Sequence, residues 1–550
     1  MTPNRTCVGA RAVRRRTPAL LLVAVLSACG GGGGSTTPPP PGGTTAPPPA
    51  QATDVVTYKN DLARTGQNLT ESVLTPANVN ATSFGLLRFL STDGKVDAQP
   101  LYLSGLTLQG AAHNVLFAVT ENDSVYAFDA DTGAVLWQVS LLGTNETVSE
   151  AVHGCSQVAP TIGITATPVI DRSAGAHGIM YVVAMSKSGS SYYQRLHAID
   201  ITTGAEAANS PVDISASYPM MGGATTFDPS QYEERAALLL SQGLIYTSWT
   251  SHCDVAPYSG WVIAYEQATL AQKAVFNAAP NSGGAGPAIW MAGGGPAADA
   301  AGNVYLLTAN GAFETTLDGN GFPAQSDFGN SFLKLQTSAG SLAVADYFSM
   351  FNTVAESNAD QDLGSGGVLL LPDLTDSGGT TRHLAVGAGK DGNLYVVDRD
   401  SMGKFSPSAN NIWQELQGVL GAGIWSTPAY FASALYFGPT AGALKAFTLS
   451  NAKLSAGSQT SGTFPYPGTS PAVSANGASA GILWAHENSS PAVLHAYDAG
   501  DLTHELYNSS QAANGRDQFG AGNKFITPAI ADGRVFVGAQ NGVAVFGLLH

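Results

Sequence analysis

Val115-Leu116-Phe117-Ala118-Val119 is followed by Val125-Tyr126-Ala127-Phe128-Asp129, then by Asp131-Thr132-Gly133 and Trp137. The stretch reads as a short apolar strand, a turn, a second strand ending in Ala-aromatic-Asp, a Thr-Gly turn and a third strand entered on Trp. Weaker copies of the second half recur along the chain. They are Leu196-His197-Ala198-Ile199-Asp200 with Thr203-Gly204, Val262-Ile263-Ala264-Tyr265, Leu444-Lys445-Ala446-Phe447 and Leu494-His495-Ala496-Tyr497-Asp498. The first half recurs as apolar strands with Pro near their start, at Gln99-Pro100-Leu101, Thr167-Pro168-Val169, Thr427-Pro428-Ala429, Ser470-Pro471-Ala472 and Thr527-Pro528-Ala529. Pro suits a first strand position, where no ladder donor is lost.

Strands of four to seven residues at regular turn spacing, with no long segment of helical period, predict antiparallel sheets. Eight units begin near residues 97, 164, 234, 289, 362, 424, 464 and 519. The expectation is an all-β, eight-bladed β-propeller of four-stranded antiparallel blades. The eighth unit ends at Phe546 with only three strands, whereas an unassigned strand, Phe84 to Leu90, precedes the first unit. That N-terminal strand is expected to close the ring as the outer strand of the last blade, which removes a free sheet edge.

Composition agrees with a turn-rich globular body: 44% hydrophobic and 12% charged residues, 64 Gly and 30 Pro. Residues 1–28 carry Arg5, Arg11, Arg14, Arg15 and Arg16, no acid, and the apolar run Ala19 to Leu26, the layout of a cleaved secretory leader. Cys29 directly after Leu26-Ser27-Ala28 resembles a bacterial lipoprotein signal, which implies cleavage before Cys29 and its lipidation. Residues 29–53 then read as a solvated Gly/Pro/Thr-rich tether, and 54–550 as one propeller domain. The implied location is the bacterial cell envelope, lipid-anchored. Gly30 does not look like an inner-membrane retention signal, which favours the outer membrane. The lipid would be the only membrane contact. Without the leader the formal charge moves from −16 to −21, which opposes a nucleic-acid partner. Cys7 leaves with the leader, so Cys155 and Cys253 remain as a plausible disulfide in an oxidising compartment.

The Ala-x-Asp-x-x-Thr-Gly-x-x-x-Trp pattern at Ala127 to Trp137 resembles the repeat of the pyrroloquinoline quinone (PQQ) propeller superfamily. That superfamily holds eight-bladed alcohol dehydrogenases and also non-catalytic assembly lipoproteins. The middle of the chain resembles the dehydrogenases more closely. Ile289-Trp290 with Asn303-Val304-Tyr305-Leu306-Leu307-Thr308-Ala309-Asn310-Gly311 looks like the stretch that supplies their Trp floor and an Asn calcium ligand. Asp360-Gln361-Asp362 resembles their Asp-Tyr-Asp segment, and Lys390-Asp391-Gly392-Asn393-Leu394-Tyr395-Val396-Val397-Asp398-Arg399 their quinone-contacting cation and following strand. The resemblance implies Trp290, Lys390 and Trp425 as quinone contacts, Asn310, Asp360 and Asp254 as calcium ligands, and Asp360 as catalytic base. The types suit such a site: an anionic planar cofactor needs an aromatic face and a cation, and a hard metal needs oxygen ligands.

Departures stand beside these matches. The dehydrogenases' adjacent Cys pair is absent, as is the Arg that follows it. Asp254 is out of clean register with their calcium Glu, and Ile424-Trp425 replaces Asn-Trp. His252, Asp254, Tyr258 and Trp261 form a polar-aromatic cluster that reads equally as a ligand contact or a structural knot. Gly387-Ala388-Gly389-Lys390-Asp391-Gly392 matches a dinucleotide fingerprint but leads into a strand, and Gly477-Ala478-Ser479-Ala480-Gly481 lacks a nucleophile elbow's helix. Two functions follow. One is a PQQ- and calcium-dependent dehydrogenase that oxidises an alcohol or sugar hydroxyl and passes electrons to a separate acceptor. The other is a non-catalytic propeller that binds protein or polysaccharide.

Overall fold

In the computed structural model, residues 54–150, 155–284, 286–338 and 340–549 are described. The leader, Cys29 and the tether lie outside them. Eight antiparallel sheets follow one another along the chain, each built outward from a short inner strand. The inner strands are Leu101–Leu108, Val169–Asp171, Leu239–Ser241, Ala297–Ala298, Leu369–Leu370, Ala429–Phe431, Ala472–Asn476 and Ala529–Ala531, for blades 1 to 8. Each begins between four and ten residues after the start read from the sequence.

The repeat has a physical cause. Asp129 Oδ1 accepts from the backbone N–H of Asp131 and Thr132 and from the Thr132 hydroxyl, which folds the chain sharply. Gly133 follows at φ +82°, where a side chain is costly. Trp137, on the outer strand of blade 1, donates its indole N–H to Ile201 O of blade 2 at 3.2 Å and so locks neighbouring blades. Trp413 of blade 5 makes the matching bond to Ala452 O of blade 6, at 2.5 Å.

Ring closure follows the expected route. Phe84–Ser91 pairs antiparallel with Gly542–Leu548 and forms the outer strand of blade 8, after Ala529–Ala531 and Arg534–Ala539. Phe84 packs there against Trp484, Tyr507 and Phe546.

A second N-terminal feature, residues 54–71, was not legible in the sequence. It fills the propeller axis and bonds to seven of the inner strands and to Leu238, just ahead of the inner strand of blade 3. Val55 pairs with Tyr102, and Val56 O accepts from Ile170 N. The carbonyls of Leu62, Ala63, Thr65 and Gly66 accept from Ala298, Leu370, Tyr430 and Val473. Arg64 reaches Leu238 O and Asn68 reaches Ile530 O. Two buried cations serve the carbonyls crowded at this axis. Arg64 donates to Pro296 O, Tyr58 O, Leu238 O and the Thr57 hydroxyl. Lys59 donates to Thr427 O, Pro428 O and Pro471 O. Burial pushes the Lys59 ammonium down to about 7, but three acceptors exceed a neutral amine's two N–H groups and hold the third proton.

Among the described residues no helix is long and apolar enough to cross a membrane. Cys155 and Cys253 are joined by a disulfide, with Cα atoms 5.4 Å apart, in the loops that lead into blade 2 and across blade 3.

Candidate functional site

In an antiparallel blade, the link entering the inner strand and the link between the second and third strands emerge at the same end. Every residue implied as a site member lies on one of these links. Trp290, Asp360 and Trp425 precede the inner strands of blades 4, 5 and 6, whereas Asp254, Asn310 and Lys390 follow the second strands of blades 3, 4 and 5. All therefore gather at one mouth of the ring, opposite the turns that hold the two ends of the axial segment.

Four of them touch. Lys390 Nζ lies 2.8 Å from Asp360 Oδ1 and 2.6 Å from Asp362 Oδ2. Asn310 donates its amide N–H to Asp360 Oδ1 at 2.9 Å and its backbone N–H to Asp362 Oδ1 at 2.7 Å. The Lys390 ammonium also sits 5.9 Å from the centroid of Trp425. Burial raises the Asp362 carboxyl, and Lys390 offsets part of that rise. Burial lowers the Lys390 ammonium, but Asp362 and Asp360 together outweigh it and the net shift is upward.

Trp290 joins through residues that sequence reasoning missed. Trp425 meets Tyr466, Tyr466 meets Phe525 and Phe525 meets Trp290, with centroids 5.7, 6.4 and 5.5 Å apart. Phe525 enters blade 8 and Trp290 enters blade 4, so the last contact spans the axis between opposed blades. Beneath Phe525 the Arg235 guanidinium lies 5.1 Å from the ring centroid. Tyr466 stands before a proline in a loop, and Arg235 follows Glu233-Glu234 just ahead of the apolar run Ala236 to Leu240, so neither carries a local signal.

Asp254 stands slightly apart. It lines an open groove of about 570 Å3 with Tyr258, Asn310, Glu314, Ser357 and Asn358. Burial and then Asp254 push the Tyr258 phenol up. The rest of the cluster around it is a structural knot. Trp261 is fully buried against Phe227 and Tyr232, and His252 is fully buried 3.5 Å from Glu233. Backbone strain collects at this mouth: Cys253, Asp254, Met291, Ala292, Asp360 and Phe525 all hold φ between +46° and +66°. For Met291 and Phe525 this is a genuine departure from what a bulky side chain tolerates.

The residues present do not suit calcium. That ion takes six to eight oxygens, yet Lys390 fills the gap between Asp360 and Asp362, and Asn310 turns its N–H toward Asp360. Among the described residues no three His, Cys, Asp or Glu side chains converge as a metal would require. To act with Asp254 as a calcium set, Asn310 and Asp360 would have to release these partners. Phe525 packs beside Trp290 at an interplanar angle of 83°.

The fold is that of the quinoprotein alcohol dehydrogenases. The profile of the family described as outer membrane protein assembly factor BamB matches residues 62–207. The chain is similar to quinohemoprotein alcohol dehydrogenase from Comamonas testosteroni at 15% identity and a TM-score of 0.60, covering 91% of this chain and 81% of that one. The quinohemoprotein alcohol dehydrogenase ADHIIG from Pseudomonas putida HK5 gives 15% and 0.61 over 90% and 80%. A europium-containing methanol dehydrogenase gives 14% and 0.54 over 90% and 98%. No curated protein matches the sequence.

Proposed function

We propose that this chain is a cell-envelope propeller, held by a lipid on Cys29, that binds a polysaccharide along one mouth without quinone or calcium. One observation carries the reading: an unbroken strip of side chains runs from Tyr466 through Trp425, Lys390, Asp360 and Asn310 into the groove of Tyr258 and Asp254. Tyr466 is 49% exposed and the Asp360 side chain 72%. Sugar rings offer apolar C–H faces that stack on aromatic rings, and hydroxyls that pair with carboxylates and amides. A strip that alternates these groups across five blades matches an extended polymer better than a compact ligand.

Affinity electrophoresis of the soluble domain through gels containing dextran, xylan, alginate or polygalacturonate tests this. Retardation in at least one gel is expected, with loss of roughly tenfold in affinity for Trp425→Ala. Unchanged mobility in every gel would end the reading. A second reading is a PQQ- and calcium-dependent dehydrogenase acting on an alcohol or sugar with a separate electron acceptor; the convergence of Asn310, Asp360, Lys390 and Trp425 supports it only where calcium displaces Lys390 from between Asp360 and Asp362. Dye reduction after addition of both cofactors would establish it in place of the first.

A further inference from the structure

Three cations are buried without a carboxylate within 4.0 Å among the described residues: Lys59, Arg64 and Arg235. The first two spend their donors on axial carbonyls. Arg235 does not. It is 2% exposed, donates only to Thr165 O, at 3.2 Å, and its Nε–H has no acceptor. An unserved guanidinium donor at such depth costs about 1–3 kcal/mol, and a dry site makes an anion there worth more.

Backbone and an aromatic ring enclose this guanidinium. Gly293, at φ +80°, passes so close that a Cβ there would lie 2.8 Å from Arg235 Nη1, so backbone closes one side of the guanidinium. On another side lies the Phe525 ring, which holds the cation by its π face where an anion would otherwise sit. Phe525 is itself strained, at φ +66°, and has Trp290 and Tyr466 as its other neighbours. Lys524 is half-buried beside it, and its ammonium is lowered by burial, then by Lys95 and Arg235, with Asp97 and Glu233 acting the other way. Of the carboxylates nearby, Asp97 is engaged by Asn523 and Glu121, whereas Glu233 lies 3.5 Å from His252 with its Oε1 unpartnered.

We propose that Arg235 is the receptor for the carboxylate of an acidic sugar residue, and that Phe525 is the aromatic cover that turns aside to admit it. The inference rests on the polysaccharide reading and narrows it to uronate-containing polymers. A chain lying in the rim groove would point one carboxylate down the axis to a guanidinium that no protein acceptor has satisfied.

The test is calorimetry of the full soluble domain with D-galacturonate and D-galactose as probes, supported by Trp fluorescence, since Trp290 touches the cover. Galacturonate is expected to bind at least about tenfold tighter than galactose. Phe525→Ala should tighten galacturonate, Arg235→Met should erase the preference, and Arg235→Lys should keep part of it, with melting curves confirming that each variant folds. Equal binding of the two sugars, or a preference that survives Arg235→Met, overturns the inference even if neutral polymers bind the groove. Galacturonate binding without retardation in any polymer gel keeps Arg235 as the receptor and removes the polymer reading instead.

Discussion

Lys390 places one ammonium between two carboxylates, 2.8 Å from Asp360 and 2.6 Å from Asp362, and so supplies from the chain the positive charge a metal would bring. Lys390→Met is expected to bare both acids and to lower stability by about 2 kcal/mol, mostly through Asp362, whose side chain is only 14% exposed. Millimolar calcium should then raise the melting temperature of the variant and leave the wild type unmoved. An equal shift in both would show that calcium binds without displacing Lys390.

The axial segment makes a sharper claim on stability. Arg64→Met would leave Pro296 O, Tyr58 O and Leu238 O unserved at about 1–3 kcal/mol each, so a loss above about 3 kcal/mol is expected in urea unfolding. A loss near zero would mean that water replaces the guanidinium.

The disulfide joins residues 98 positions apart. Cross-linking a loop of that length restricts the unfolded chain by about 4–5 kcal/mol, so Cys155→Ala should lower the melting point clearly. Because the bridge anchors Cys253 beside Asp254, the same variant should also weaken polymer retardation.

Glu121 gives a pH signature. Burial first, then Asp97, pushes its carboxyl up to about 10, although Lys95 lies 3.5 Å away. A carboxyl whose folded value is raised contributes stability that is complete below the unfolded value of 4.5 and is lost as pH rises through about 10. The wild type should therefore melt lower at about pH 9 than at about pH 6. Glu121→Gln, neutral throughout, should flatten that difference, and an unchanged slope would place the titration elsewhere.

The blades were legible because their punctuation is chemical. Asp129 must fold back on Thr132, Trp137 must reach Ile201, and a Pro before each of several inner strands marks a donor that no ladder needs. The convergence of Asn310, Asp360, Lys390 and Trp425 was legible only through the family resemblance, since nothing local announces a contact such as Asn310 with Asp360, 50 positions apart. Phe525, Tyr466 and Arg235 carry no motif; their roles arise from opposed blades meeting over the axis. Lys59 and Arg64 look like surface charges in sequence, and only the carbonyl-lined axis explains their burial.

The axial segment bonds to strands spread from Tyr102 to Ile530, and Phe84–Ser91 pairs with Gly542–Leu548. Both depend on a chain end meeting residues more than 400 positions away, a closure that costs about 5 kcal/mol in loop entropy before any contact repays it. Folding of this propeller is thus a late event in time. The first residues must wait for the last blade, and a chain cut short near Gly520 would lose its ring seam and part of its axial filling in one stroke.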